Sequence, residues 1–237
     1  RNDLVNSMKD LSPAYIRFAA GELDTAETVE DLGSWKDTLG LPETRKQSYT
    51  QSGKNITYVN SNLMGVYEYL LLCEEVGAEA IPTINAGIVA ASKDEYTENA
   101  NKYANGAITE ENWKEYLDEI SLNPESEAFA QYVQDVLDLI EYANGDDTTP
   151  WGQKRIEDGH AEPFGLKYIA IGNGDFGDVY WQNFDAIYKA IKEKYPEIIV
   201  VICFAGEMNK DDYKKAVETV NSLYPDVILA ENNCTNG

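Results

Sequence analysis

Leu166 to Gly177 reads Leu-Lys-Tyr-Ile-Ala-Ile-Gly-Asn-Gly-Asp-Phe-Gly and holds the residues best placed for chemistry. Its first half is a short apolar run of the kind that forms a strand buried on both faces, and its second half is a polar, glycine-rich exit. In parallel α/β folds the side chains at the C-terminal ends of strands build the site, so Asn173 and Asp175 fall where a substrate would be met. Asp175 is a candidate proton donor. Adjacent side chains turn in different directions, however, so Asp175 is expected to point away from a substrate at Asn173 and to bond the following turn or cap the next helix, which makes it a weak candidate. Other apolar runs end in similar exits: Ala14–Phe18 runs into Glu22 and Asp24, Ala80–Ile84 into Asn85, Ile198–Phe204 into Glu207, and Asp226–Ala230 into Glu231 and Asn233. If these strands lie side by side, the oxygens of Glu22, Asp24, Glu207 and Glu231 converge among the amides of Asn85, Asn173 and Asn233. A hard divalent cation or an amine ligand would use such a donor set; without one, the same groups would repel, hold protons or face solvent. No other cofactor is implied. His160 is the single histidine, which excludes a His-based triad or a multi-His metal site within this chain, and its Gly-His-Ala-Glu-Pro-Phe context reads as a turn.

The elements that must position these residues can be read from periodicity. Asn2 caps a helix with Leu4, Val5, Met8 and Leu11 on one face, and Pro13 stops it. Thr25 to Ser61 has little periodicity and reads as a loop excursion that shapes a pocket, while Leu63 to Val76 is a helix closed by Gly77. Between Ser92 and Asn123 lies an insertion, helical from Thr109 to Ile120 with Thr109 as cap. Asn123 and Pro124 then open a helix with Phe129, Tyr132, Val133, Val136, Leu137 and Ile140 on one stripe, ending at Gly145. Asp146 to Phe164 is turn-rich. A helix with Phe184, Ile187, Tyr188 and Ile191 inward follows the central strand, and one with Tyr213, Val217, Val220 and Leu223 inward precedes the last. Strand and helix thus alternate five times, the pattern of a parallel α/β assembly. No repeat or linker divides the chain, and residues 1–237 are expected to form one domain.

The totals set bounds on partners. A chain of 237 residues is long enough for one large core and stands at the lower size range of a (β/α)8 barrel. Forty-two acidic residues face 19 basic ones, a formal charge of −23, so nucleic acid and anionic membranes, which call for a basic footprint, are poor partners. Cys73, Cys203 and Cys234 are odd in number and widely spaced, as expected for reduced packing cysteines. The longest apolar run is too short to span a bilayer, no signal peptide is visible, and a start at Arg1 rather than Met leaves the compartment, cytoplasmic or secreted, open.

One set of segments carries a family likeness: Ala14-Tyr15-Ile16-Arg17-Phe18, Trp35-Lys36-Asp37-Thr38-Leu39-Gly40, Glu68 to Glu79, Tyr132 to Gly145, Trp151-Gly152, Gly159 to Phe164 and Leu166 to Phe176. In this order they resemble the catalytic barrel of glycoside hydrolase family 51, which contains α-L-arabinofuranosidases. The resemblance implies a (β/α)8 TIM barrel, of which about five strands are recognisable and the fold is apparently incomplete. It also implies an arabinose-containing saccharide as ligand and a companion chain or segment to complete the barrel. A retaining glycosidase of this kind uses one carboxylic acid as acid/base and a second as nucleophile, roughly 5 Å apart. The resemblance puts the acid/base directly after Asn173, where this chain has Gly174, and the nucleophile on a seventh strand that is not recognised here. It makes Asn173 a sugar ligand, while Ala19 to Glu22 and Glu231-Asn232-Asn233 depart from the family pattern at two further exits. Asn85, Glu22, Glu231, Asn233 and Trp35 complete the candidate sugar-binding set, Trp35 as one of three tryptophans, with Trp151 and Trp181, able either to stack on a sugar or to pack in the core. The expectation is an arabinofuranosidase scaffold inactive or very weak at its acid position; the alternative is a non-catalytic or re-engineered protein that binds a cation or small ligand in an acidic pocket.

Overall fold

The structure is a computed structural model that describes residues 2–19, 32–52, 56–89, 93–172, 177–205 and 210–232. Seven strands run through them: β1 Tyr15–Ala19, β2 Ser48–Ser52, β3 Ile56–Asn60, β4 Glu79–Ile84, β5 Tyr168–Ile171, β6 Ile199–Ala205 and β7 Ile228–Asn232. Eight helices accompany them: α1 Asn2–Leu11, α2 Val66–Val76, α3 Lys93–Ala104, α4 Glu110–Ile120, α5 Glu127–Asn144, α6 Pro150–Glu157, α7 Gly177–Lys194 and α8 Lys210–Leu223. Five strands form one parallel sheet in the order β1-β4-β5-β6-β7, while β2 and β3 pair antiparallel as a separate hairpin. Sheet and helices together make a half-barrel, the α/β architecture that strand–helix alternation predicts.

Alternation along each strand assigns the two faces. Ile84, Ile169, Ile171, Val200 and Ile202 join the large core beneath the helices, where Phe129, Ile140, Phe184 and Ile187 meet them. The other face carries a smaller cluster of Ile81, Ala170 and Val201, flanked by Tyr168 and Ala230. Polar side chains pin the layers. The Tyr69 hydroxyl on α2 donates to Ile16 O and accepts from Ile81 N, both at 2.6 Å, and Phe18 stacks on its ring. Asn144, at the end of α5, clamps the start of the central strand by exchanging two bonds with Leu166. Arg155 on α6 is fully buried, and its guanidinium donates to the carbonyls of Tyr142, Gly145, His160 and Ala161. The first two belong to the C-terminal end of α5, where carbonyls concentrate partial negative charge, which favours a buried cation there.

Several expectations shift against this frame. The helix expected from Asn123 begins three residues later, because the Ser126 hydroxyl accepts from Phe129 N and takes the cap, while Asn123 accepts from Glu125 N in the preceding turn. The turn-rich stretch Asp146–Phe164 contains α6, capped by Thr149 with Pro150 in its first turn. The insertion holds α3 as well as α4, and the excursion Thr25–Ser61 contains the β2–β3 hairpin and two short 3₁₀ turns, at Trp35–Thr38 and Pro42–Thr44. Leu63 precedes α2 and is exposed, and Leu223 points outward while Ala216, Val220 and Tyr224 turn in. Leu4 and Leu11 of α1 are likewise exposed.

Candidate functional site

The strands end on one side of the sheet, at Ala19, Ile84, Ile171, Ala205 and Asn232. The central exit turns at Gly172, whose φ of 80° lies in the left-handed region open to glycine, and its N–H still bonds Ile84 O. Beside it stands a cation. Arg17 reaches from β1 across β4, its Nε donating to Thr83 Oγ1 at 3.0 Å and its NH2 to Gly172 O at 3.4 Å. The register pairs Arg17 with Ile81, two residues before the end of β1, and alternation with Ile16 and Phe18 puts it on the face away from the helices. Thr83 is almost wholly buried there. A guanidinium held by a threonine and a strand-end carbonyl is a planar donor, suited to sugar hydroxyls or a carboxylate placed at the β5 exit.

Asn85 follows β4 and is buried. Its Nδ2 donates to Ile88 O and its Oδ1 accepts from Ile88 N, so the amide closes its own loop; its carbonyl accepts from the Tyr132 hydroxyl. Trp35 sits on the helix side of the sheet. Its Nε1 donates to Asp135 O, and its ring packs on Tyr142 and Trp151 within the large core. Lys36 lies over the Trp151 ring and pairs with Asp135 and Asp138. Burial works to lower the Lys36 amine, but these two carboxylates outweigh it and raise the group above its ordinary range. Trp181 stacks among Tyr180, Phe184 and Tyr224. His160 stacks on Phe164 and faces Glu74 at 3.0 Å, in the turn that leads into β5 rather than out of it.

Glu231 belongs to β7 itself, one row before its end, paired in register with Phe204, and Asn232 pairs with Ala205. Asn173, Gly174, Asp175, Glu22, Asp24, Glu207 and Asn233 lie outside the described residues. Among the described residues no group of three or more His, Cys, Asp or Glu side chains could hold a metal ion. Arg17 and Thr83 are the site residues that attention to the exits passed over. Their signal was the alternation Tyr15-Ile16-Arg17-Phe18, which turns a charged residue away from the helix face.

The family model described as α-L-arabinofuranosidase 1 domain matches residues 7–230. This chain belongs to that family. Within the α-L-arabinofuranosidase family it is similar to α-L-arabinofuranosidase 1 of Arabidopsis thaliana, 33% identical over 214 residues, which cover 90% of this chain and 27% of that protein. It is also similar to an extracellular exo-α-L-arabinofuranosidase of Streptomyces chartreusis, 30% identical over 85% of this chain and 22% of that one. Among solved structures it superposes on a family 51 α-L-arabinofuranosidase from Bifidobacterium longum with a TM-score of 0.64, at 18% identity, covering 96% of this chain and 37% of that one. An α-L-arabinofuranosidase from Thermotoga maritima, in an arabinose complex, gives 0.63 at 19% identity, over 98% and 38%. At these identities the structural likeness establishes the fold, that of part of a family 51 barrel. The chain spans about a quarter of the length of the curated arabinofuranosidases it matches.

Proposed function

We propose that this arabinofuranosidase-domain chain binds terminal α-L-arabinofuranosyl groups, of the kind found on plant polysaccharide side chains, at the exits of its parallel strands, and hydrolyses them very weakly or not at all. The observation that carries the reading is Gly174, which stands directly after Asn173 in a chain whose match to the family spans residues 7–230. Cleaving a glycosidic bond with retention needs a carboxylic acid to protonate the departing oxygen and a carboxylate to take up the anomeric carbon. Glycine offers no proton at the first position. Loss of a general acid alone removes about 10²- to 10⁴-fold in rate. The resemblance places the nucleophile on a strand beyond the segments recognised in these 237 residues.

The binding half of the reading draws on Arg17. Its guanidinium, which donates to Thr83 Oγ1 and Gly172 O, stands beside the central exit, and in this reading the sugar ring lies against it. Calorimetric titration with methyl α-L-arabinofuranoside should show saturable binding that a methyl glucoside does not displace. Arg17→Met should weaken it by about tenfold or more, the worth of a charged hydrogen bond, at unchanged helical content by circular dichroism. Heat release from neither protein, or equal affinity in both, would overturn the assignment.

A further inference from the structure

The tetrapeptide Tyr-Ala-Asn-Gly occurs twice, at Tyr103 to Gly106 and at Tyr142 to Gly145, and each copy stands where a helix ends. Asparagine followed by glycine carries a chemistry of its own. With no Cβ to shield it, the backbone nitrogen of the glycine can attack the asparagine Cγ and close a five-membered succinimide. A new C–N bond forms, the Cγ–Nδ2 bond breaks, and the glycine amide proton leaves with Nδ2 as ammonia. Water then opens the ring at either carbonyl, leaving aspartate or isoaspartate. The net reaction consumes one water, releases one ammonia and needs no other reagent. Because the four residues are the same in both copies, a difference in rate between them is set by the fold.

At the second copy the fold restrains both reacting groups. Asn144 is half-buried, and its amide is bonded through both atoms: Nδ2 donates to Leu166 O at 2.8 Å and Oδ1 accepts from Leu166 N at 2.7 Å. The nucleophile is held as well. Gly145 N donates to Glu141 O at 2.6 Å, and the buried Arg155 donates to Gly145 O at 2.7 Å. A Cβ at Gly145 would come within 2.6 Å of Glu141 O and closer still to Thr149 Oγ1, so the backbone there has no room to swing toward Cγ.

The first copy is open. Asn105, Gly106 and Ala107 are all exposed, and nothing lies within 4 Å of the place a Cβ on Gly106 would take. The Asn105 Oδ1 accepts from Ala107 N at 3.0 Å, an Asx turn that folds the carboxamide back along the Gly106 peptide and draws electron density from Cγ. Gly106 N donates to Tyr103 O at 3.0 Å, but this bond lies in an exposed turn just past the end of α3, where local opening costs least.

We infer that Asn105 is a site of spontaneous deamidation in the folded protein, converted to aspartate and isoaspartate, and that the fold withholds the same reaction from Asn144. The consequences differ as well. At Asn105 a carboxylate joins a segment, residues 93–120, that already carries eight carboxylates against three lysines, at a helix C-terminus where negative charge is unfavourable. At Asn144 the exchange of amide for carboxylate would remove the donor to Leu166 O and with it the clamp before the central strand.

The test incubates the folded chain beside the chain unfolded in guanidinium chloride, in warm, mildly alkaline buffer, until both sites have reacted in the unfolded sample. Digestion at acid pH and mass spectrometry then give the acid formed at each asparagine, and chromatography separates the isoaspartyl peptides. In the folded chain Asn105 should convert at least about tenfold faster than Asn144, as expected where one site opens more readily than the other. In guanidinium chloride the two should convert at similar rates, and the product at Asn105 should include isoaspartate. Equal rates at the two sites in the folded chain would overturn the inference. So would an Asn105 that reacts only when unfolded, since the bond to Tyr103 O would then protect it. Aspartate alone at Asn105 would refute the ring-closing route in favour of direct hydrolysis.

Discussion

Arg45 and Glu68 show how single residues hold the long excursion before α2. The Arg45 guanidinium is buried and makes a two-point contact with the Glu68 carboxylate, at 2.6 and 3.0 Å, while also donating to Gly40 O and Asn62 O. Glu68 in turn accepts from Gly65 N and caps the start of α2, so one ion pair ties the long excursion before β4 to a core helix. Burial alone would raise the Glu68 carboxyl, but the hydrogen bonds from Arg45 and Gly65 more than reverse it, and the group lies below its ordinary value of 4.5. A carboxyl depressed in the folded state adds stability that is present above its unfolded value and is lost as pH falls through its folded value. The gap in urea midpoint between the wild type and Glu68→Gln should therefore be widest at neutral pH and close as pH falls below about 4.5. A gap that stays constant down to pH 3 would contradict the ion pair's role. Nothing in the sequence pairs Arg45 with Glu68, since the contact depends on a chain path of 23 intervening steps. Arg17 differs, because strand alternation alone gives its face. Trp35 and Asn85 were readable as candidates by type, and their partners, Asp135 O for one and Ile88 for the other, are what assign them to packing and to loop closure.

Elements with a strong apolar period were legible almost to the residue. The Phe129 to Ile140 stripe, the Phe184 to Ile191 stripe and the Thr109 cap stand where periodicity puts them. The elements that escaped are those whose stabilising contacts lie elsewhere in the chain. The α6 helix has only eight residues and a polar sequence, and it is anchored by Arg155 and by close approach to the end of α5. That approach gives a prediction. A Cβ at Gly152 would come within 2.0 Å of Asp146 O and 2.6 Å of Thr149 Oγ1, whereas one at Gly77 meets nothing within 4 Å and has only its φ of 80° against it. Gly77→Ala should cost about 1 kcal/mol, and Gly152→Ala about 2 to 3 kcal/mol because backbone must move. Urea unfolding of the two variants tests the order; Gly77→Ala as the more damaging change would contradict the packing of α6. The β2–β3 hairpin carried a signal in Ser52-Gly53 between the β-rich runs Tyr49–Thr50 and Ile56–Val59, and it was obscured by the polar residues around it.

At the scale of the molecule, five buried-type strands separated by helices specified a parallel sheet, and the sheet has them in the order expected of successive barrel strands. The family was legible too, because its segments lie mainly in helices and strand bodies, and it is borne out by the match through residues 7–230. The chemistry was less so. Site residues of such a fold sit on the connections after each strand, which obey no period and answer to the ligand rather than to packing, and here only Arg17, Thr83, Asn85 and Gly172 among the described residues mark the place. We propose that a sugar site persists around an acid position occupied by Gly174. Its most direct test is release of phenol from an aryl α-L-arabinofuranoside by the folded chain and by Gly174→Glu, each with and without azide as an external nucleophile. The wild type should turn over at or near the uncatalysed rate, and Gly174→Glu should raise the rate by about 10²-fold or more when azide is present. Equal rates in wild type and variant, whether fast or absent in every arm, would contradict it.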